Sequence, residues 1–243
     1  MDTPVGTVIG AVVAMLIFCI NGIQNINSNM SDKDLIEQRR DYSSNSLSAS
    51  QLNSSPIQQF DNWLTNAREA KLIDSTAMTL STSGADSQPR SRVVLLKAFD
   101  AAGFCWYTDQ QSQKGEDLKT NPLACLLFYW RELERQVRIE GSVQKLDGSD
   151  ADHYFNSRPE GSRFSAASSH QSQAVNNREQ LEAQVASLHG QYPDGDVPRP
   201  DRWGGYQLKP TRFEFWQGRD DRLHDRFIYT ASNGAWHTQR LSP

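Results

Sequence analysis

From Pro56 onward, Ile57, Phe60, Trp63, Leu64, Ala67 and Leu72 recur at helical spacing, which predicts an amphipathic helix with one face on a core and Pro56 in its first turn. The period then shortens to that of strands. Thr76–Thr82, Ser91–Phe99 and Phe104–Thr108 read as short strands joined by the polar turns Ser83-Gly84-Ala85-Asp86 and Asp100-Ala101-Ala102-Gly103. Ser112–Thr120 reads as a helix closed by Asn121-Pro122. Leu123–Trp130 is apolar without alternation and is expected to be buried on both faces. Glu134–Leu146 alternates, with Val137, Ile139 and Gly141 set against Gln136, Arg138 and Glu140, the pattern of a half-buried strand.

Two further helices are predicted at Ser149–Ser157 and Asn176–Gln191, the second with Leu181, Val185 and Leu188 on its apolar stripe. Arg158–Ala174 between them, rich in Ser, Arg and Gln, reads as a long loop. Tyr192–Trp203 reads as an extended connector, and Tyr206–Lys209, Thr211–Gln217, Leu223–Thr230 and Ala235–Leu241 as the last strands. Short strands joined by tight turns, with helices around them, indicate one α+β domain with an antiparallel β-barrel core.

The N-terminal part does not follow this pattern. Val8–Ile20 is an apolar run shorter than the roughly 20 residues of a membrane helix, and no basic residue precedes it as in a signal peptide. Residues 1–29 read as an extension upstream of the functional chain, with a short membrane anchor as the alternative. Asp32–Tyr42 is charged and can form a short helix, and Ser43–Ser55, rich in Ser and Asn, reads as a mobile connector. The expected organisation is thus an extension at 1–29, a flexible segment at 30–55 and the main domain at 56–243.

Composition narrows the function. The 243 residues hold 25 Lys+Arg against 29 Asp+Glu, a net charge of -4, which argues against a general nucleic-acid binder. Cys19, Cys105 and Cys125 are isolated in apolar runs and show neither metal nor disulfide spacing, which suits a reducing, cytoplasmic setting. Nucleotide-loop and serine-elbow motifs are missing. Any anion site must be local.

Three stretches offer one. If Arg222–Phe227 is a strand, its period of two lines up Arg222, His224 and Arg226 on one face, either around an anion or on a solvated edge. Arg92 and Lys97, five apart on one predicted strand, fall on opposite faces and would serve two anions; snorkelling ends of a buried strand are the alternative. Ser157-Arg158-Pro159 with Ser162 and Arg163, and Ser168–Ser172, supply hydroxyl, amide and guanidinium donors suited to phosphate, although such loops also occur merely solvated. Aromatic residues near these clusters suit a planar, phosphorylated ligand.

The ordered set Arg92-Val93-Val94-Leu95-Leu96-Lys97, Tyr107-Thr108, Glu134-Arg135-Gln136-Val137, Tyr154-Phe155-Asn156-Ser157-Arg158-Pro159, Gln171-Ser172, Trp203-Gly204-Gly205, Phe215-Trp216-Gln217-Gly218, Arg222-Leu223-His224-Asp225-Arg226 and Arg240-Leu241-Ser242-Pro243 resembles the pyridoxamine 5'-phosphate oxidase family from about Arg39 to the end. The resemblance implies an antiparallel Greek-key split β-barrel with peripheral helices, a homodimer holding FMN at the subunit interface. Arg92, Lys114, Gln171 and Ser172 would bind the flavin phosphate and ribityl chain. Val93, Val94, Leu95, Leu96, Tyr107, Thr108, Gln136, Trp216 and Arg226 would surround the rest of the cofactor.

The same resemblance assigns Lys97 to both cofactor and substrate, and Tyr154, Arg158 and Ser162 to the substrate phosphate. Arg222 and His224 would be catalytic, lying with Leu223 against the pyridine ring, and Arg39, Arg40, Asp41 and Tyr42 would fold over it as a lid. The implied reaction oxidises pyridoxamine 5'-phosphate or pyridoxine 5'-phosphate to the aldehyde, with dioxygen as acceptor and hydrogen peroxide as product. Two departures stand out: Gln113 replaces an arginine usual in the family, and His170 a frequent lysine. One guanidinium fewer around a phosphate weakens binding by about 1.5–3 kcal/mol.

Overall fold

A computed structural model describes residues 40–43 and 45–243. The chain divides at Asp41/Tyr42; of the first unit, Arg40 and Asp41 are described, both exposed. Arg39, the upstream extension and most of the charged segment predicted as helical lie outside the described residues.

The second unit is built on one antiparallel sheet. Its strands are β1 (Ala77–Ser83), β2 (Pro89–Leu95), β3 (Ala98–Asp100), β4 (Gly103–Asp109), β5 (Leu123–Trp130), β6 (Arg135–Lys145), β7 (Trp203–Gln217), β8 (Asp225–Ser232) and β9 (Ala235–Leu241). They run in the order β2-β1-β5-β6-β7-β4-β3, with β8 and β9 continuing from β7. The sheet curls into an α+β split barrel because β7 pairs with three strands: its first half with β4, most of its length with β6, its last residues with β8. A register shift at Glu140/Gly141 opposite Pro210 lets this strand bend. The two strands expected at Tyr206–Lys209 and Thr211–Gln217 are therefore one, since the bulge absorbs the proline that seemed to end the first.

Helix α1 (Pro56–Glu69) packs one face into the core that the strands build. The side-chain oxygen of Ser55 accepts from the Gln58 amide, and the face carrying Phe60, Trp63, Leu64 and Ala67 is buried. Phe60 meets Phe99, Phe104 and Phe128 with ring centroids 4.9–5.1 Å apart. Each such ring contributes roughly 1.5–3 kcal/mol by burial. Helices α2 (Gln113–Thr120), α3 (Gly148–Ser157), α4 (Glu160–Ser168) and α5 (Arg178–Gln191) complete the unit. A second, smaller core of Phe155, Phe164, Val197 and Trp203 joins α3 and α4 to the start of β7.

Several expectations change. The loop expected at 158–174 contains α4; its sequence is Ser-rich, and Phe164 is its one fully buried side chain. The strand Ser91–Phe99 is broken, because Leu96 N donates to Thr76 O and Lys97 N to Cys105 O, so the chain crosses from β1 to β4 there. Strand β5 is not buried on both faces: Leu126, Phe128 and Trp130 face the core, while Leu123 and Tyr129 are exposed. On α5, Leu181 is exposed, while Val185 and Leu188 lean against the smaller core. The connector expected at 43–55 is held down: Leu47 is 4% exposed, its amide donates to Asp225 Oδ2 at 3.0 Å, and Tyr229 Oη donates to Asn53 O at 2.7 Å.

Candidate active site

Between β2, β4, α3, α4 and the loop after α4 lies a cavity of about 710 Å³. Four cationic side chains line it, Arg92, Lys97, Lys114 and Arg158, and among its lining residues there is no carboxylate. Cations gathered around a cavity whose lining holds no carboxylate suit an anionic ligand. Arg92 and Lys97 were expected on opposite faces of one strand. They share this cavity instead, since β2 ends at Leu95 and Lys97 follows the crossing.

Lys114 sits at one end, in the first turn of α2 and 8% exposed. Its Nζ donates to Thr108 Oγ1 at 3.1 Å, Ser112 Oγ at 2.8 Å and Gln171 Oε1 at 2.9 Å. These partners are neutral. Burial, and then the nearby Arg92 charge, pull its pKa from 10.5 down to about 8, against the opposing pull of Asp109. Arg92 donates to Thr82 Oγ1 and to the carbonyls of Leu80 and Arg90, with Asp117 at 3.7 Å. Gln113 turns away: its Nε2 donates to Asp117 Oδ1 at 3.0 Å, while its backbone amide donates to Ser172 Oγ at 3.1 Å.

The other end is aromatic and cationic. Tyr107 stacks on Tyr154 with centroids 4.1 Å apart, and Trp203 continues the near-parallel set at 5.6 Å from Tyr107. Arg158 lies over Trp203 at 4.9 Å, and Lys97 Nζ is 5.9 Å from the Tyr154 ring centre. Arg158 Nη1 is buried with no hydrogen-bond partner among the described residues. Burial also lowers the Arg158 pKa. Ser162 and Ser165 on α4 add hydroxyls to the same wall. A buried, unused guanidinium donor beside hydroxyls and a lysine fits a second anion.

Not every expected residue lines this cavity. Val93, Val94, Leu95, Tyr107, Thr108 and Gln171 do, whereas Leu96 is buried in the core. Gln136, Trp216 and Arg226 lie side by side on β6, β7 and β8. Arg226 there bridges to Glu214 at 2.7 Å and donates to Ser242 O at 2.7 Å. Trp216, His224 and Tyr42 form a separate aromatic cluster, His224 at 4.7 Å from Trp216 and Tyr42 edge-on to both.

The row Arg222/His224/Arg226 is not one strand face. Asp221 and Arg222 have φ of 53° and 64°, a turn precedes β8, and the strand begins at Asp225. Arg222 and Leu223 are exposed on that turn. His224 Nδ1 accepts from the Arg219 amide at 3.1 Å. Burial, then the charges of Arg222 and Arg226, lower its pKa, favouring the neutral imidazole.

Trp203, Ser112, Asp109 and Arg202 are parts of the cavity or its frame to which sequence reasoning gave no role. The Trp203-Gly204-Gly205 motif was a signal for the first; the others make contacts too distant in sequence to leave one.

A curled antiparallel sheet with peripheral helices, and a cavity lined by cations and aromatic rings, define a split barrel of the FMN-binding type. The profile described as pyridoxamine 5'-phosphate oxidase matches residues 64–192, and that of the pyridoxine 5'-phosphate oxidase C-terminal dimerisation region matches 203–243. The chain belongs to the pyridoxine/pyridoxamine 5'-phosphate oxidase family. It is 49% identical over 205 residues to the Cyanothece sp. protein of that name, covering 84% of this chain and 96% of the relative. With the Cupriavidus metallidurans protein of the same name it shares 49% over 210 residues, 86% and 99% of the two chains. Among solved structures, PhzG of Burkholderia lata, in complex with tetrahydrophenazine-1-carboxylic acid, superposes with a TM-score of 0.76 at 34% identity, covering 80% of this chain and 95% of that one. A Nostoc punctiforme protein described as FMN-binding superposes at 0.63 and 15% identity, covering 79% and 100%, and shares the fold.

Proposed function

We propose that the chain is an FMN-dependent oxidase converting pyridoxamine 5'-phosphate and pyridoxine 5'-phosphate to pyridoxal 5'-phosphate. FMN is the cofactor: Lys114, Arg92, Thr108 and Gln171 make a cradle suited to its phosphate, and when bound it supplies the two-electron acceptor that dioxygen regenerates with release of hydrogen peroxide. The substrate phosphate goes to Lys97, Arg158, Ser162 and Tyr154. The observation that carries this reading is the cavity with four cations, no carboxylate and an unpartnered Arg158 donor. Such a lining suits two phosphate-bearing ligands held together. The amine substrate, oxidised at C4', yields an imine that water splits to aldehyde and ammonia.

The active assembly is a homodimer, supported by the match to a dimerisation region. Gln136, Trp216, Arg222, His224 and Arg226 line no part of this chain's cavity; a second copy would bring them to it. Arg222 then steadies charge developing on the substrate, and neutral His224 orients the ring. Tyr42, edge-on to Trp216 and His224, covers that side as part of the lid. No helix among the described residues is long and apolar enough to cross a membrane.

The PhzG likeness favours a second reading, in which the anion is the carboxylate of a reduced tricyclic acid. Purified protein, its visible spectrum and a peroxide assay separate the two. Yellow protein producing peroxide with the B6 phosphates supports the first; FMN-loaded protein silent with both, yet active on tetrahydrophenazine-1-carboxylic acid, supports the second.

A further inference from the structure

Arg202 lies just before β7, at the junction of three parts of the cavity wall. Its Nη2 donates to Ala166 O at 3.3 Å, Ala167 O at 2.7 Å and Ser169 O at 3.1 Å. These are carbonyls at the end of α4, which an α-helix leaves without partners of its own. Its Nε donates to Asp109 Oδ2 at 3.1 Å. That carboxylate is 2% exposed and also accepts from the amides of Gln111 at 2.8 Å and Gln171 at 3.3 Å. The side chain of Gln171 in turn accepts from Lys114 and Thr108.

We propose that Arg202 is a positioning residue that latches the end of α4 and the strap carrying Gln171 to β4, and thereby sets the Lys114–Gln171 cradle. This rests on the reading of the cavity as an FMN site. The planar fork matters: one group spans three carbonyls and a buried carboxylate at once, which a lysine ammonium cannot do. Without it, Asp109 is a buried charge held by two amides, and the strap loses its link to α4. Because α4 also carries Ser162 and Ser165 on the opposite wall, the latch fixes the spacing between the two ends of the cavity.

The test is FMN titration of apoprotein by fluorescence for wild type, Arg202→Ala, Arg202→Lys, Gln171→Ala and the Arg202→Ala/Gln171→Ala pair, with hydrogen exchange on the flavin-free proteins. Arg202→Ala is expected to weaken FMN at least tenfold, Arg202→Lys to share that loss, and the double variant to bind no worse than Gln171→Ala alone. Amides at 168–172 exchange faster in Arg202→Ala, while those of β7 keep the wild-type rate. A remote structural role would make the two losses add, and that result overturns the proposal. So does wild-type affinity in Arg202→Ala or in Arg202→Lys. Should wild type itself fail to bind FMN, the cofactor reading falls; the latch is then decided by exchange, and unchanged exchange at 168–172 overturns it.

Discussion

The Lys114 ammonium and the Gln171 side-chain oxygen meet at 2.9 Å across 57 residues of sequence. The contact joins α2 to the strap after α4, and it keeps a buried cation among neutral oxygens. In the unliganded protein this is an unfavourable place for charge, and an arriving phosphate turns it into a favourable one.

Replacing Lys114 with Met is therefore expected to stabilise the flavin-free protein at pH 7 by up to about 3 kcal/mol, from the depressed pKa, while FMN affinity falls by about 1.5–3 kcal/mol. The folded value of about 8 lies below the 10.5 of the unfolded chain. Between those pH values the unfolded state holds the extra proton on this lysine, so the penalty Lys114 imposes on the folded apoprotein fades as pH rises through the window. Urea unfolding across pH 7–10.5 should show it as wild type gaining on Lys114→Met, since Cys125, whose thiol burial raises from 9.0 to about 11, pulls both proteins the other way.

Arg222→Ala is expected to keep FMN and to lose turnover by on the order of 10²-fold, the scale of one missing transition-state donor. Stopped-flow reduction of bound flavin reads it. Loss of flavin with an unchanged rate per bound FMN would contradict the role given to Arg222.

His224 should titrate below its ordinary 6.5, since burial and two guanidinium groups disfavour the cation. As pH falls below 6.5 the unfolded imidazole takes its proton first, so stability is lost toward acid. Protonation of Nδ1 also ends the bond from the Arg219 amide. NMR should find the ring's midpoint under 6.5, with the Arg219 amide shift moving in step.

A Cβ added at Gly218 falls 2.6 Å from Tyr42 Cδ1. Gly218→Ala should push the Tyr42 ring off Trp216 and cost about 1–3 kcal/mol, as overpacking does. A lowered denaturation midpoint and altered tryptophan fluorescence would report it; an unchanged midpoint would mean that Tyr42 moves aside freely.

Helix α1, the alternation of β6 and the turn before β4 were legible because each repeats a local period or ends on turn residues. Helix α4 was not, since Glu160–Ser168 has few apolar positions to mark a face. The period-of-two row ending at Arg226 failed for a local reason: two consecutive positive-φ residues make a turn where alternation suggested strand. Contacts between distant segments were illegible in principle. Asp109 and Arg202 are 93 residues apart, and nothing near either one announces the other. Arg92, Lys97 and Arg158 stood out from spacing and loop composition and Lys114 from the family pattern, yet their sharing of one cavity depended on where β2 stops.

Strand β7 carries Trp203 of the cavity at its first residue and Trp216 of the other aromatic cluster near its last, 15 residues spanning on the order of 50 Å of extended chain. On the proposed two-copy site, damage at the two ends is separable. A chain lacking Lys114 holds FMN weakly and a chain lacking Arg222 turns over slowly, but a mixed pair rebuilds one intact centre and concentrates both lesions in the other. Unfolding and refolding an equal mixture should revive about a quarter of the wild-type centres, as random pairing about a two-fold axis requires.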